Sequence, residues 1–120
     1  MLFHRILLCY DGTPEGRAAL RSGARLAQQL NANTHLLAVL DHSYWTRGFE
    51  VLSPVAFDID DTAAQHILSE GVKRLSDLGI SATGHCVVGN PVDGISKFAD
   101  ELAVDLIVIG HHHNSAFMRW

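Results

Sequence analysis

The residues with most chemical promise lie near the end of the chain, in LIVIGHHHNSAFMRW. Four apolar residues, Leu106 to Ile109, run into Gly110, and three histidines follow, His111, His112 and His113. A glycine at the end of a strand lets a backbone approach a ligand closely or turns the chain sharply into a helix. Backbone amides in such a turn can hold phosphate oxygens without side-chain help. Imidazoles can also bind metals, but in extended chain His111 and His113 share a face while His112 points away. Two ligands do not close a structural zinc site, and no Cys-x-x-Cys or His-Glu-x-x-His accompanies them, so no metal is expected. A second chemical candidate is Asp11 in CYDGTP. It is either a ligand-facing carboxylate at a strand end or the cap of a turn in which Gly12 supplies the free φ. Nothing local sets a nucleophile beside a base, so an enzyme is not expected.

These residues need elements to position them. RILLCY, residues 5–10, is a short apolar run ended by Asp11-Gly12 and predicts a buried strand. Thr13-Pro14 supplies an N-cap and a proline at the first helical position, and Ala19, Gly23, Leu26, Ala27 and Leu30 give a helical face over about 14–31. THLLAVL, residues 34–40, predicts a second strand buried on both faces. Residues 41–59 show no clean period and read as a long loop, with one turn of helix at most. Its aromatics Tyr44, Trp45, Phe49 and Phe57 suit a partner or dimer contact better than a lid. Thr62 to Gln65 fits a capping box opening a second helix, whose face is Ala64, Ile67, Leu68, Gly71, Val72, Leu75 and Leu78, with Gly79 as its left-handed stop.

ISATGHCVV, residues 80–88, alternates, with Ser81, Thr83 and His85 on one side, and suits an edge strand with His85 solvated. Asn90-Pro91 opens a third helix with Ile95, Phe98, Ala99 and Leu102 inward. Asp105–Ile109 is a fourth strand whose apolar run suggests a central place. The order β-α-β-loop-α-β-α-β implies a parallel sheet with helices on both faces. Ligands of such sheets bind beyond the carboxyl ends of the strands, where the strand order reverses.

Composition fits this picture. The chain has 120 residues, enough for one domain with a single core, with 48% hydrophobic and 18% charged residues. A net charge of −4 and no basic cluster argue against nucleic acid as a partner. The first apolar run is too short for a signal or a membrane span, and Cys9 and Cys86 suit buried reduced thiols. A cytoplasmic protein is expected.

ILLCYDGTPEGRAAL, LLAVL, VVGNP and AVDLIVIG, in that order, resemble the universal stress protein family over essentially the whole chain. The resemblance implies a three-layer α/β/α fold with a parallel sheet, like that of the adenine-nucleotide α-hydrolases and Rossmann-like. The strand order would be 3-2-1-4, with the family's fifth strand and last helix missing from a single domain over 1–120. It implies a small stress-response protein, usually a homodimer, of which one branch binds ATP, with Mg, and the other does not. Its nucleotide residues would be Cys9, Asp11, Gly12 and Thr13 after the first strand, Val39 on the second, and Ile109, Gly110 and His113 at the loop after the fourth. The family's Gly-x-x-Gly loop departs here at its second glycine, which is His113. An imidazole at that place restricts φ and can donate a hydrogen bond to a phosphate. Without a fifth strand, the fourth is an edge that calls for a covering partner chain. Two readings follow. The chain is an adenine-nucleotide sensor, or a nucleotide-free stress protein acting through homodimerisation and a protein partner at the 41–59 loop. In both it needs neither nucleic acid nor membrane.

Overall fold

A computed structural model describes residues 3–41 and 54–110, with side chains for 3–40 and 62–110. Its elements run β1 (Arg5–Tyr10), α1 (Pro14–Leu30), β2 (Asn33–Asp41), α2 (Pro54–Asp77), β3 (Ala82–Gly89), α3 (Pro91–Leu102) and β4 (Leu106–Ile109). The four strands are parallel in the order β3-β2-β1-β4. α1 and α2 cover one face and α3 covers the other, so the molecule has three layers.

The core follows from strand parity. Ile6, Leu8 and Tyr10 of β1 and Leu36 of β2 point toward α1 and α2, where Leu20, Ala24, Ala27 and Leu75 meet them. Leu7 and Cys9, with Leu37 and Val39, point toward Ile95, Phe98, Ala99 and Leu102 of α3. All of Ile6 to Tyr10 is buried, as the continuous apolar run requires of a strand covered on both faces. Each such side chain stabilises the fold by about 1.5–3 kcal/mol relative to its exposed state. Helix α1 presents Gly16, Leu20, Gly23, Ala24 and Ala27 to the sheet. Ala19, Leu26 and Leu30 of the expected face are only half-buried. A Cβ at Gly23 would stand 2.5 Å from Leu8 Cδ2, so this glycine sets how closely α1 lies on β1. Asn31 and Ala103 close α1 and α3 in the left-handed region, and Gly79 follows α2 at φ +85°.

Three expectations change, and one strand start shifts. The second helix does not start at a Thr62 capping box. It starts at Pro54, so Thr62 is a helix-interior residue and the end of the expected 41–59 loop is helical. Proline suits a first helical position, and nothing from 55 to 62 breaks a helix. The apolar residues Val55, Ala56, Phe57 and Ile59 simply do not fall on one face. Tyr44, Trp45 and Phe49 lie outside the described residues. Second, β4 is not central: it borders the described sheet beyond β1. Its Leu106 and Val108 pack toward α1, while Ile107 and Ile109 are 39% and 53% exposed on the face that α3 leaves open. Third, His85 is not simply solvated, since it is partly buried against His35 and Phe98. In the described sheet β3 takes the expected edge position, although Ile80, placed at the start of that strand, is instead a buried plug before it.

Asp105 ties the start of β4 to the start of β1. Its Oδ2 accepts from His4 N at 2.7 Å and Arg5 N at 3.0 Å, and these two amides hold its carboxyl below the usual range. A carboxylate with a lowered native pKa stabilises the fold above its unfolded value near 4, and that contribution is lost as pH falls below it. Asp105→Asn is therefore expected to flatten the acid limb of a thermal-melt pH profile below about pH 4. An unchanged limb would count against this bracket.

Candidate functional site

The strand order reverses at β1, with β2 on one side and β4 on the other. At this crevice Cys9 lies opposite Leu37 on β2 and opposite Ile109 on β4. Tyr10 pairs with Ala38. One residue further, Asp11 leaves β1 at the level of Val39, and Gly110 leaves β4 at the level of Tyr10. The backbone register thus collects Cys9, Asp11, Gly12, Thr13, Val39, Ile109 and Gly110 at one end of the sheet. His113 lies outside the described residues.

The β1–α1 turn is closely organised. Asp11 Oδ1 accepts from Thr13 N at 3.0 Å and from Thr13 Oγ1 at 2.6 Å. Thr13 Oγ1 in turn accepts from Gly16 N at 3.0 Å, which caps α1. Gly12 has φ +82°, a conformation that L side chains rarely adopt. A Cβ at Gly16 would stand 2.6 Å from Asp11 Oδ1, so a bare backbone there lets the helix receive the carboxylate. Asp11 thus serves as a turn cap, and its side chain remains exposed at the crevice.

The other members have structural roles of their own. Cys9 is 7% exposed, and burial pushes its thiol up to about 12, so it is a thiol and not a thiolate at neutral pH. Both cysteines are free. Val39 is a core residue of the α3 face. Gly110 packs against α1. A Cβ there would stand 2.8 Å from the Glu15 carbonyl oxygen and 3.0 Å from Ala19 Cβ.

One cluster beside this crevice was not anticipated. Tyr10 donates its hydroxyl to Glu70 Oε1 at 2.6 Å. Glu70 Oε2 also lies 3.6 Å from Arg17 Nη2 and 3.4 Å from Arg74 Nη2. The Tyr10 hydrogen bond, helped by the two guanidinium groups, holds the Glu70 carboxyl below its usual range. Burial and the Glu70 hydrogen bond raise the phenol of Tyr10. The cluster joins β1, α1 and α2. A tyrosine ending an aliphatic strand and the Glu70–Arg74 spacing of four are its sequence signals.

The family model described as "Universal stress protein family" matches residues 2–120. The chain belongs to the universal stress protein family. Universal stress protein A homolog 1 of Coxiella burnetii is 28% identical over 117 residues, 93% of this chain and 78% of that protein. Among solved structures, a universal stress protein family member from Burkholderia pseudomallei superposes with a TM-score of 0.76 at 22% identity, over 92% of this chain and 83% of that one. The universal stress protein from Archaeoglobus fulgidus, solved in complex with dAMP, superposes with a TM-score of 0.67 at 22% identity, over 89% of this chain and 80% of that one. In this universal stress protein no described helix is long and apolar enough to cross a membrane.

Proposed function

We propose that this universal stress protein binds an adenine nucleotide, ATP with Mg²⁺, at the carboxyl ends of β1, β2 and β4, and works as a cytoplasmic sensor without catalysing a reaction. The observation that carries this reading is the register at the strand-order reversal, which aligns Cys9 with both Leu37 and Ile109. Asp11 and Gly110 then leave β1 and β4 at neighbouring levels beside Val39 of β2, around one crevice, where sheets of this kind take ligands. The dAMP complex of the Archaeoglobus relative supports the same ligand class. In this reading the adenine lies along the Val39 backbone, the ribose reaches Asp11, and the phosphates approach the backbone at Gly110. A thiol raised to about 12 at Cys9 offers no nucleophile. Asp11 Oδ1 is committed to Thr13, which suits binding better than proton transfer.

Calorimetric titration with Mg-ATP tests this. The wild type is expected to bind saturably. Asp11→Ala is expected to weaken binding by about 10-fold or more, the scale of one hydrogen bond to a charged group. Asp11→Asn keeps an acceptor for Thr13 and loses only the charge, so it separates ligand contact from loss of the turn. Wild-type affinity in both variants would remove Asp11 from the site.

The nucleotide-free reading rests on another observation, the exposure of Ile107 and Ile109 at the border of the described sheet. It predicts no heat with ATP and concentration-dependent self-association in sedimentation.

A further inference from the structure

A second group of chemically active side chains lies at the opposite border of the sheet, away from the nucleotide crevice. His35 on β2 pairs across the ladder with Leu7 and Thr83, and His85 on β3 pairs with Leu37. Leu7 and Leu37 belong to the α3 face, so both imidazoles stand on that face too. His35 Nδ1 lies 3.2 Å from His85 Nε2, and the ring centroids are 5.3 Å apart. The His85 ring is also 5.3 Å from that of Phe98 on α3. Both histidines are partly buried.

We propose that the His35–His85 contact is an acid-released latch that ties edge strand β3 and helix α3 to β2.

The chemistry of the contact sets its sign. At 3.2 Å one ring nitrogen must donate and the other accept, so at least one imidazole is neutral. Protonating both turns the acceptor into a donor and sets two cations against each other. The neighbours offer no relief. β1 contributes the Arg5 guanidinium, β3 contributes the neutral Thr83, and α3 contributes Phe98, while Lys97, Asp100 and Glu101 of α3 are exposed. Among the described residues no carboxylate acts on His35. Burial first, then the positive charges of His85 and Arg5, hold it below the ordinary imidazole range. Two imidazole nitrogens are also potential metal ligands, but no group of three or more His, Cys, Asp or Glu among the described residues could hold a metal ion.

The native state therefore binds fewer protons at His35 than the unfolded chain does. Stability from the latch is fully present above the unfolded value near 6.5 and is lost as pH falls from there toward the lower native value. α3 is the crossover that carries the chain from β3 to β4, so its release acts on the element that brings Gly110 to the crevice.

Two measurements test the latch, with thermal melts at pH 7.5 and 5.5 on the wild type, His85→Gln and His85→Phe. The wild-type midpoint is expected to fall by roughly 4 °C more than that of a folded variant, the scale of a lost contact in a domain of this size. The remaining histidines are common to all three proteins and cancel in the comparison. NMR titration of the wild type should show His35 titrating below free imidazole, with the Phe98 ring resonances moving in the same step. In His85→Gln the His35 midpoint should rise. Equal pH slopes in wild type and variant, or His35 titrating at the free value, would overturn the proposal. If neither variant folds, the wild-type NMR titration decides alone.

Discussion

Leu36→Ala is expected to cost about 2–5 kcal/mol, the range for emptying a fully buried leucine site. Leu36 is 0% exposed, in the same core cluster as Ile6, Leu8, Tyr10 and Leu75. With a total stability of about 5–15 kcal/mol for an ordinary domain, this one change removes a large share. The site also has a built-in partner for a cycle. A Cβ at Gly71 would stand 2.6 Å from Leu36 Cδ2 and 2.9 Å from Tyr10 Cδ2. Gly71→Ala alone should therefore overpack the core at about 1–3 kcal/mol, offset in part by about 1 kcal/mol of helix propensity. Once Leu36 is truncated, its half of the clash disappears and the new methyl partly fills the cavity. The Tyr10 half remains. The double variant is expected to lose about 1 kcal/mol less than the sum of the two single losses. Urea unfolding of the four proteins measures this, and simple additivity would show that α2 does not sit on Leu36 as closely as these distances say.

That packing was partly readable from the chain. Gly71 lies on the apolar face marked by Ala64, Ile67, Leu68, Val72 and Leu75, and the repeat is strong enough to orient the later turns of α2 without tertiary information. The first turns were not readable, because the spacing of Val55, Ala56, Phe57 and Ile59 in the sequence gives no clear helical period. β1, α1 and α3 were legible for a related reason, since a short apolar run or a polar cap followed by proline is a local signal. The place of β4 is not local. Four apolar residues look alike whether a strand has neighbours on both sides or one open face, and only the sheet order distinguishes them. The same limit hid the His35–His85 contact, which joins residues 50 apart and depends on the β2–β3 register. It hid the Tyr10–Glu70 bond as well, across 60 residues. At the crevice, Asp11-Gly12-Thr13 could be read as a capped turn from its residue types, and the hydrogen bonds agree. What could not be read is that Gly110 faces α1.

That position supports the second prediction. Gly110→Ala is expected to destabilise the protein by about 1–3 kcal/mol, as overpacking does. The added Cβ would lie 2.8 Å from the carbonyl oxygen of Glu15. This is a backbone atom in the first turn of α1 and cannot rotate aside. Ala19 Cβ, at 3.0 Å, closes the other direction. A Gly→Ala change also narrows the unfolded ensemble, but by only about 0.4–1 kcal/mol, so the clash should win. The strain falls where β4 meets α1, at the mouth of the proposed nucleotide crevice, so stability and binding must be read separately. Urea unfolding gives the first. Calorimetry with Mg-ATP, at a temperature where both proteins are fully folded, gives the second. Loss of stability with unchanged affinity would make Gly110 a packing residue alone. A loss of both, with the affinity loss persisting well below the melting transition, would make the same bare backbone serve helix packing and phosphate approach. Unchanged stability would mean that α1 yields at Glu15, and the close approach of β4 to the helix would no longer explain the glycine.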